Sequence, residues 1–375
     1  MKRLFLFILF LSALYFTKPY WEEPVSDYVD ISFLDPVDEK IETLLTKESL
    51  DTAVQHISET INKAVSLVTS KTAQVEETAV AVKKPVLAKP EKTRLSIHNI
   101  ELGSTEKIVA DELGQPKSQS MNEYGTEWFT YHDNYQNFVM VSFDEKRKVN
   151  AIYTNDDLIS SVTGIKYGSL KSTVRETLGE PIKEIRKGLS IYVLQESDGF
   201  DVFKSGDIYT YVFYDLHQNS KVTAIQLIAD SLEDKKSAIY AKGDSDLRDG
   251  FEQQLFDLTN ASRVRHGLSI LEWEPSVAIT ARKHSADMAV NNYFSHDNKQ
   301  GKSPFDRMED DGVKFRGAGE NLAYGQSSSI FAHEGLMNSA GHRENILLDT
   351  YSHLGTGVSF NDKLQPYYTE NFLLK

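Results

Sequence analysis

The chain has 375 residues, 40 % of them hydrophobic and 11 % aromatic, with a formal charge of −14 and a pI near 5.2. Such a composition folds, and the length prior divides it into about two to three domains. The acidic balance excludes nucleic-acid binding, which needs clustered Lys and Arg. The lack of any cysteine excludes thiolate zinc sites, a thiol nucleophile and disulfide staples.

Lys2 and Arg3 precede an apolar run from Leu4 to Phe16. That run suits the core of a signal peptide and falls short of the ~20 residues that span a bilayer comfortably. No small-x-small cleavage site follows, and Tyr20 and Trp21 suit a membrane interface. Residues 1–21 are therefore read as an export segment, either a cleaved signal peptide or a retained anchor. The protein is expected to be extracytoplasmic, touching the membrane only through this segment. Residues 22–96 read as a stalk and linker. Val54, Ile57, Ile61 and Val68 give an amphipathic helix, and the stretch from Thr69 to Arg94 carries Pro85 and Pro90 with no core-forming pattern.

An internal repeat follows. LGSTEKIVADELGQP at 102–116 matches YGSLKSTVRETLGEP at 167–181 with an offset of 65 residues. Each copy predicts a short helix with a serine or threonine at its start and a stop at Gly114 or Gly179, with proline beyond. Strands come next, FVMVSF and VNAIYT in one copy, IYTYVFY and VTAIQLI in the other. Residues 97–232 are thus expected to form a duplicated helix-plus-antiparallel-sheet domain. Asp133, Asp156 and Asp215 read as turn residues. With no acid cluster or phosphate loop recurring between copies, the domain suggests binding or positioning.

A charged boundary at 233–250 leads to a final domain, 250–375. Its first helix has the apolar face Phe251, Leu255, Leu258 and Val264 and ends at Gly267. A second helix starts at Pro275 and carries His284, read as a packed histidine. A third covers about 330–337, followed by strands at HLGTGVSF and PYYTENFLL, where His353 is a bystander at a strand start.

Between Tyr293 and Ile346 lie His296, Glu320, Glu334 and His342. Two imidazoles and two carboxylates can hold a metal, move a proton, or close a hydrogen-bond network that stiffens a cleft. The zinc-protease pattern H-E-x-x-H fails at Met337 after His333 and Glu334, and no G-x-S-x-G elbow is present.

The stretches LTNASRVRHGLSIL, MAVNNYFSHDNKQGKSPFDRM, GAGENLAYG, EGLMNSAGHRENIL, GTGV and YYTENF resemble the CAP superfamily (cysteine-rich secretory protein, antigen 5, pathogenesis-related 1) in its cysteine-free bacterial form. The repeat resembles the module that accompanies CAP domains in spore-forming Gram-positive bacteria. The resemblance implies an α+β protein whose C-terminal domain is an α-β-α sandwich, with a cleft tetrad of His296, Glu320, Glu334 and His342. Leu336 departs from the pattern, standing where bacterial relatives have tryptophan.

Three functions are open to such a chain. One is an envelope protein whose cleft binds an apolar or peptide-like ligand, with zinc or another divalent metal on His296 and His342. Another is a metal-assisted hydrolase of peptide or cell-wall material with Glu320 or Glu334 as base. The last is a structural protein whose repeat domain docks an envelope partner. Binding is favoured, because the chain supplies no obvious nucleophile, oxyanion hole or complete metal cage.

Overall fold

The computed structural model describes residues 82–187, 190–194 and 198–375. The expected export segment, stalk helix and most of the linker lie outside them. Residues 82–94 carry no regular structure, yet they are pinned to the domain that follows. The Val82 amide donates to Gln136, the Ala88 amide to Asn99, and the amides of Glu91, Lys92 and Thr93 to the Glu101 carboxylate.

The repeat region contains β1 (Leu95–Ile97), α1 (Glu106–Leu113), β2 (Ser118–Met121), β3 (Glu127–Asp133), β4 (Gln136–Phe143), β5 (Val149–Thr154), β6 (Ile159–Ser161), α2 (Lys171–Leu178), β7 (Glu184–Lys187), β8 (Ser190–Val193), β9 (Phe200–Ser205), β10 (Ile208–Asp215), β11 (Lys221–Ala229) and α3 (Asp230–Glu233). Seven strands form an antiparallel sheet in the order β2-β3-β4-β5-β11-β10-β9, joined at its middle by β5 and β11. The two matching sequences make matching bonds. The Gly103 amide donates to Val149 and the Gly168 amide to Val222, while those partners' amides return bonds to Ser104 and Ser169. β1 pairs with β6, and both helices end at glycines in the left-handed region, Gly114 (φ 75°) and Gly179 (φ 87°). The starts differ. Thr105 caps α1 with its side chain, whereas Leu170 precedes α2 and offers no side-chain cap.

Alternation along these strands makes both sheet faces apolar. Tyr131, Val139, Val141, Ile152, Val212 and Ile225 pack with Val109 and Val174 of the repeat helices. Phe138, Met140, Ala151, Tyr153, Tyr211 and Phe213 face the other way and join a cluster with Leu258, Ala261, Ile330 and Phe331 of the C-terminal region.

That region contains α4 (Ser245–Arg265), β12 (Glu272–Trp273), α5 (Pro275–Asn291), α6 (Pro304–Asp310), β13 (Gly317–Tyr324), α7 (Ser329–Asn338), α8 (Ala340–Ile346), β14 (His353–Phe360) and β15 (Pro366–Leu374). The first helix starts six residues before Phe251, at Ser245, under an Asp244 side-chain cap. The strands run β12-β14-β15-β13, which leaves β13 at an edge. Tyr368 and Phe372 face a core with Phe251, Leu255, Leu336 and Met337, while Leu373 packs with Val277 and Tyr367 with Met288. Helices therefore cover both faces, giving the α-β-α sandwich. Gly357 lets α5 lie directly on β14, since a Cβ there would strike the α5 backbone at Arg282. Leu336, at the expected tryptophan position, is buried in that core.

Candidate functional site

The candidate site wraps around the β13 edge. Glu320 and Asn321 are consecutive, so their side chains take opposite faces of the strand. The Glu320 side chain is only 1 % exposed. One of its oxygens meets His296 Nδ1 at 2.9 Å, and the other accepts from Arg307 Nη2 at 2.6 Å. Arg307 also donates to the backbone oxygens of His296 (2.6 Å) and Lys302 (3.0 Å), tying the His296 loop to α6. Pro304 in the first turn of α6 and a Ser303–Asp306 capping box fix where that helix starts.

The Glu320 carboxylate beside it raises the His296 pKa above its ordinary value, although the imidazole is half exposed. This buried carboxylate orients the ring through Nδ1, the arrangement that commonly supports a metal-ligating histidine.

On the opposite face Asn321 holds α8. Its Nδ2 donates to the His342 carbonyl at 3.1 Å and to Glu370 at 3.0 Å, and Asn345 Nδ2 donates to Asn321 Oδ1 at 2.9 Å. Glu370 also accepts from Thr259 at 2.7 Å, and burial pushes its carboxyl up to about 7. His342 is half buried; burial first, then the neighbouring His296, lowers its pKa. The two histidines thus approach the edge from different elements, His296 from the loop before α6 and His342 from α8.

Glu334 takes a different place. It is 5 % exposed on α7, and its Oε1 accepts from the Tyr153 hydroxyl of β5 at 2.7 Å. Burial pushes its carboxyl up to about 7 against the pull of Tyr153 and Arg265, with Asp215 and Arg343 acting on it as well. The structure pairs His296 with Glu320, sets His342 near them, and turns Glu334 toward the repeat sheet. Among the described residues no group of three or more His, Asp or Glu is arranged to hold a metal. A cation here would have only the two imidazoles to take from the chain and would draw its remaining ligands from solvent or a bound molecule.

His284 is buried, with Nε2 bonded to the Ser295 carbonyl at 3.0 Å, and His353 stands at the start of β14 beside Glu272. Arg307, Asn321, Asn345, Glu370 and Tyr153 were not anticipated. The sequence signal for two of them was adjacency, since Asn321 follows Glu320 in GEN and Glu370 lies in YYTENF.

Comparison with known proteins places these features in a family. Residues 256–372 match the Cysteine-rich secretory protein family, CAP, and residues 102–239 match the CAP-associated N-terminal domain. The chain is 31 % identical over 299 residues to the uncharacterized membrane protein YlbC of Bacillus subtilis (strain 168), covering 71 % of this chain and 80 % of that protein. It is 40 % identical over 125 residues to YkwD of the same organism, covering 33 % of this chain and 48 % of that one. An extracellular protein containing a SCP domain from Bacillus anthracis str. Ames superposes with a TM-score of 0.64 at 28 % identity, covering 79 % of this chain and all (100 %) of that one. A cysteine-rich secretory protein from Staphylococcus aureus subsp. aureus Mu50 shares the fold, with a TM-score of 0.60 at 18 % identity over 76 % of this chain and 95 % of that one. None of the described helices is long and apolar enough to cross a membrane. By the extent of these matches, the chain belongs to the cysteine-rich secretory protein (CAP) family, as a member in which a CAP-associated N-terminal domain precedes the CAP domain.

Proposed function

We propose that this is an exported cell-envelope protein whose CAP cleft binds a small apolar or peptide-like ligand at the β13 edge, using His296 and His342. The observation that carries this reading is the Arg307–Glu320–His296 chain, in which a buried ion pair orients a half-exposed imidazole. Orienting an exposed ring at the expense of a buried charge is a feature of recognition sites more than of cores. The membrane and extracellular relatives support placement outside the cytoplasm, with residues 1–21 as signal or anchor.

A divalent cation such as zinc, held by His296 and His342, would polarise an oxygen of the bound ligand. Two protein ligands imply modest affinity. Both carboxylates once considered as bases are engaged, Glu320 by Arg307 and His296, Glu334 by Tyr153. Neither is placed to take a proton from water, which favours binding over hydrolysis.

Calorimetric zinc titration of the full chain, beside His296→Ala and His342→Ala, tests the metal. Heat in the parent that disappears in both variants is expected. An absence of heat in the parent, or equal heat in all three, removes zinc from the site.

A further inference from the structure

The junction between α7 and α8 is gripped by the repeat domain. Asn338, the last residue of α7, accepts at Oδ1 from the Leu216 amide (3.0 Å) and donates from Nδ2 to the Tyr214 carbonyl (2.9 Å). The Asn338 carbonyl lies 3.1 Å from His217 Nε2. Within α8, Arg343 donates from Nη2 to Asp215 Oδ2 at 3.0 Å and from Nη1 to the Met337 carbonyl at 3.1 Å. Both Arg343 and Asp215 are largely buried, with side chains 15 % and 7 % exposed. Arg343 directly follows His342.

α8 has seven residues, too few to hold its orientation by its own hydrogen bonds. Asn321 and Asn345 hold it from β13. Arg263 of α4 donates to the Ile346 carbonyl at its end (2.8 Å), and His266 Nε2 lies 3.3 Å from Arg343 Nη2. The charged partner of Arg343 comes from outside the CAP domain, at the end of β10. The same carboxylate that grips Arg343 also caps its own turn, where Asp215 Oδ1 accepts from the His217 amide at 2.9 Å. Asp215 therefore joins a turn of one domain to the histidine-bearing helix of the other.

We infer that Asp215 is a positioning residue for His342, acting through Arg343, so that the CAP cleft takes its final shape only when the repeat domain is docked. This rests on the cleft reading above. It makes the repeat domain a control element, because a partner that displaces the 214–217 turn would release His342 without entering the cleft.

The test follows the His342 ring directly, by proton–carbon NMR of the full chain, assigned by comparison with His342→Ala. Asp215→Asn keeps the turn cap and removes the charge facing Arg343. It should shift and broaden the His342 resonance while leaving that of His353, on β14 two strands away from β13, in place. Zinc affinity should fall about tenfold, as for other changes one step behind a ligand. Arg343→Gln, approaching the pair from the other side, should reproduce both effects and guards against misfolding of the first variant. A His342 resonance unmoved in both variants overturns the inference, as does an equal shift at His353. If the parent binds no zinc, the metal reading fails on its own, and the resonance still decides the role of Asp215.

Discussion

The Tyr153 hydroxyl on the repeat sheet donates to Glu334 on the CAP helix α7 at 2.7 Å, and both side chains are sealed from solvent. A residue expected in the cleft is therefore spent on joining domains. Dependence on a donor from the other domain makes it a sensitive point.

Replacing Tyr153 with Phe keeps the ring packed against Phe213 and removes only the hydroxyl. Glu334 then loses its partner in a buried setting. The expected loss is roughly 1–3 kcal/mol, read as a lower denaturation midpoint with unchanged slope.

Between about pH 4.5 and about 7, three buried carboxyls pull stability down as pH rises, while the buried His132 and His333, lowered to about 4 and about 3, pull it up below 6.5. Burial holds Glu334, Glu370 and Glu123 near 7 in the folded chain, above the ordinary 4.5. Between those values each of these carboxyls binds more protons in the folded state than in the unfolded one, so its contribution is full below 4.5 and lost above 7. The size is on the order of 3 kcal/mol per group. Glu334→Gln removes one falling contribution, so the slope of melting temperature against pH should become more positive in this range, and an unchanged slope would count against a protonated Glu334.

Glu320→Gln should bring the His296 pKa down toward its ordinary value, since the carboxylate is its main elevating influence. A histidine NMR titration reads this without any metal present. The same change leaves Arg307 without its ion-pair partner, so the melting temperature should drop as well.

Gly250→Ala offers a test with a reversed sign. In an exposed helix this exchange stabilises by about 1 kcal/mol. At position 250 of α4 an added Cβ would collide with the backbone oxygen of Met121 on β2. We expect a loss of about 1–3 kcal/mol and faster proteolysis between the domains.

Much of this architecture was legible because it is local. The repeat showed in paired glycines and prolines, the CAP helices in apolar spacing, and His296 with Glu320 in short motifs. Their placement follows from strand and helix periodicity. What was illegible depends on which surfaces meet. Glu334 lies four residues before Asn338 and eight before His342, and nothing local tells that α7 turns it to the repeat sheet. Arg307 looked like an ordinary charge on a short helix, and its role exists only where Glu320 is brought beside it. Position 170 shows the limit of the repeat itself, since the matching register put a leucine where the first copy has a capping threonine.

The apolar sheet face completed by Leu258, Ala261, Ile330 and Phe331 has a consequence for any fragment of the chain. Exposed alone, the patch around Phe138, Tyr211 and Phe213 would invite aggregation. A fragment cut before the CAP domain would lose the edge-on contacts that Phe331 makes with Phe200, Tyr211 and Phe213 and would carry that bare face into water. On this side the sheet has no core of its own, only half of a shared one.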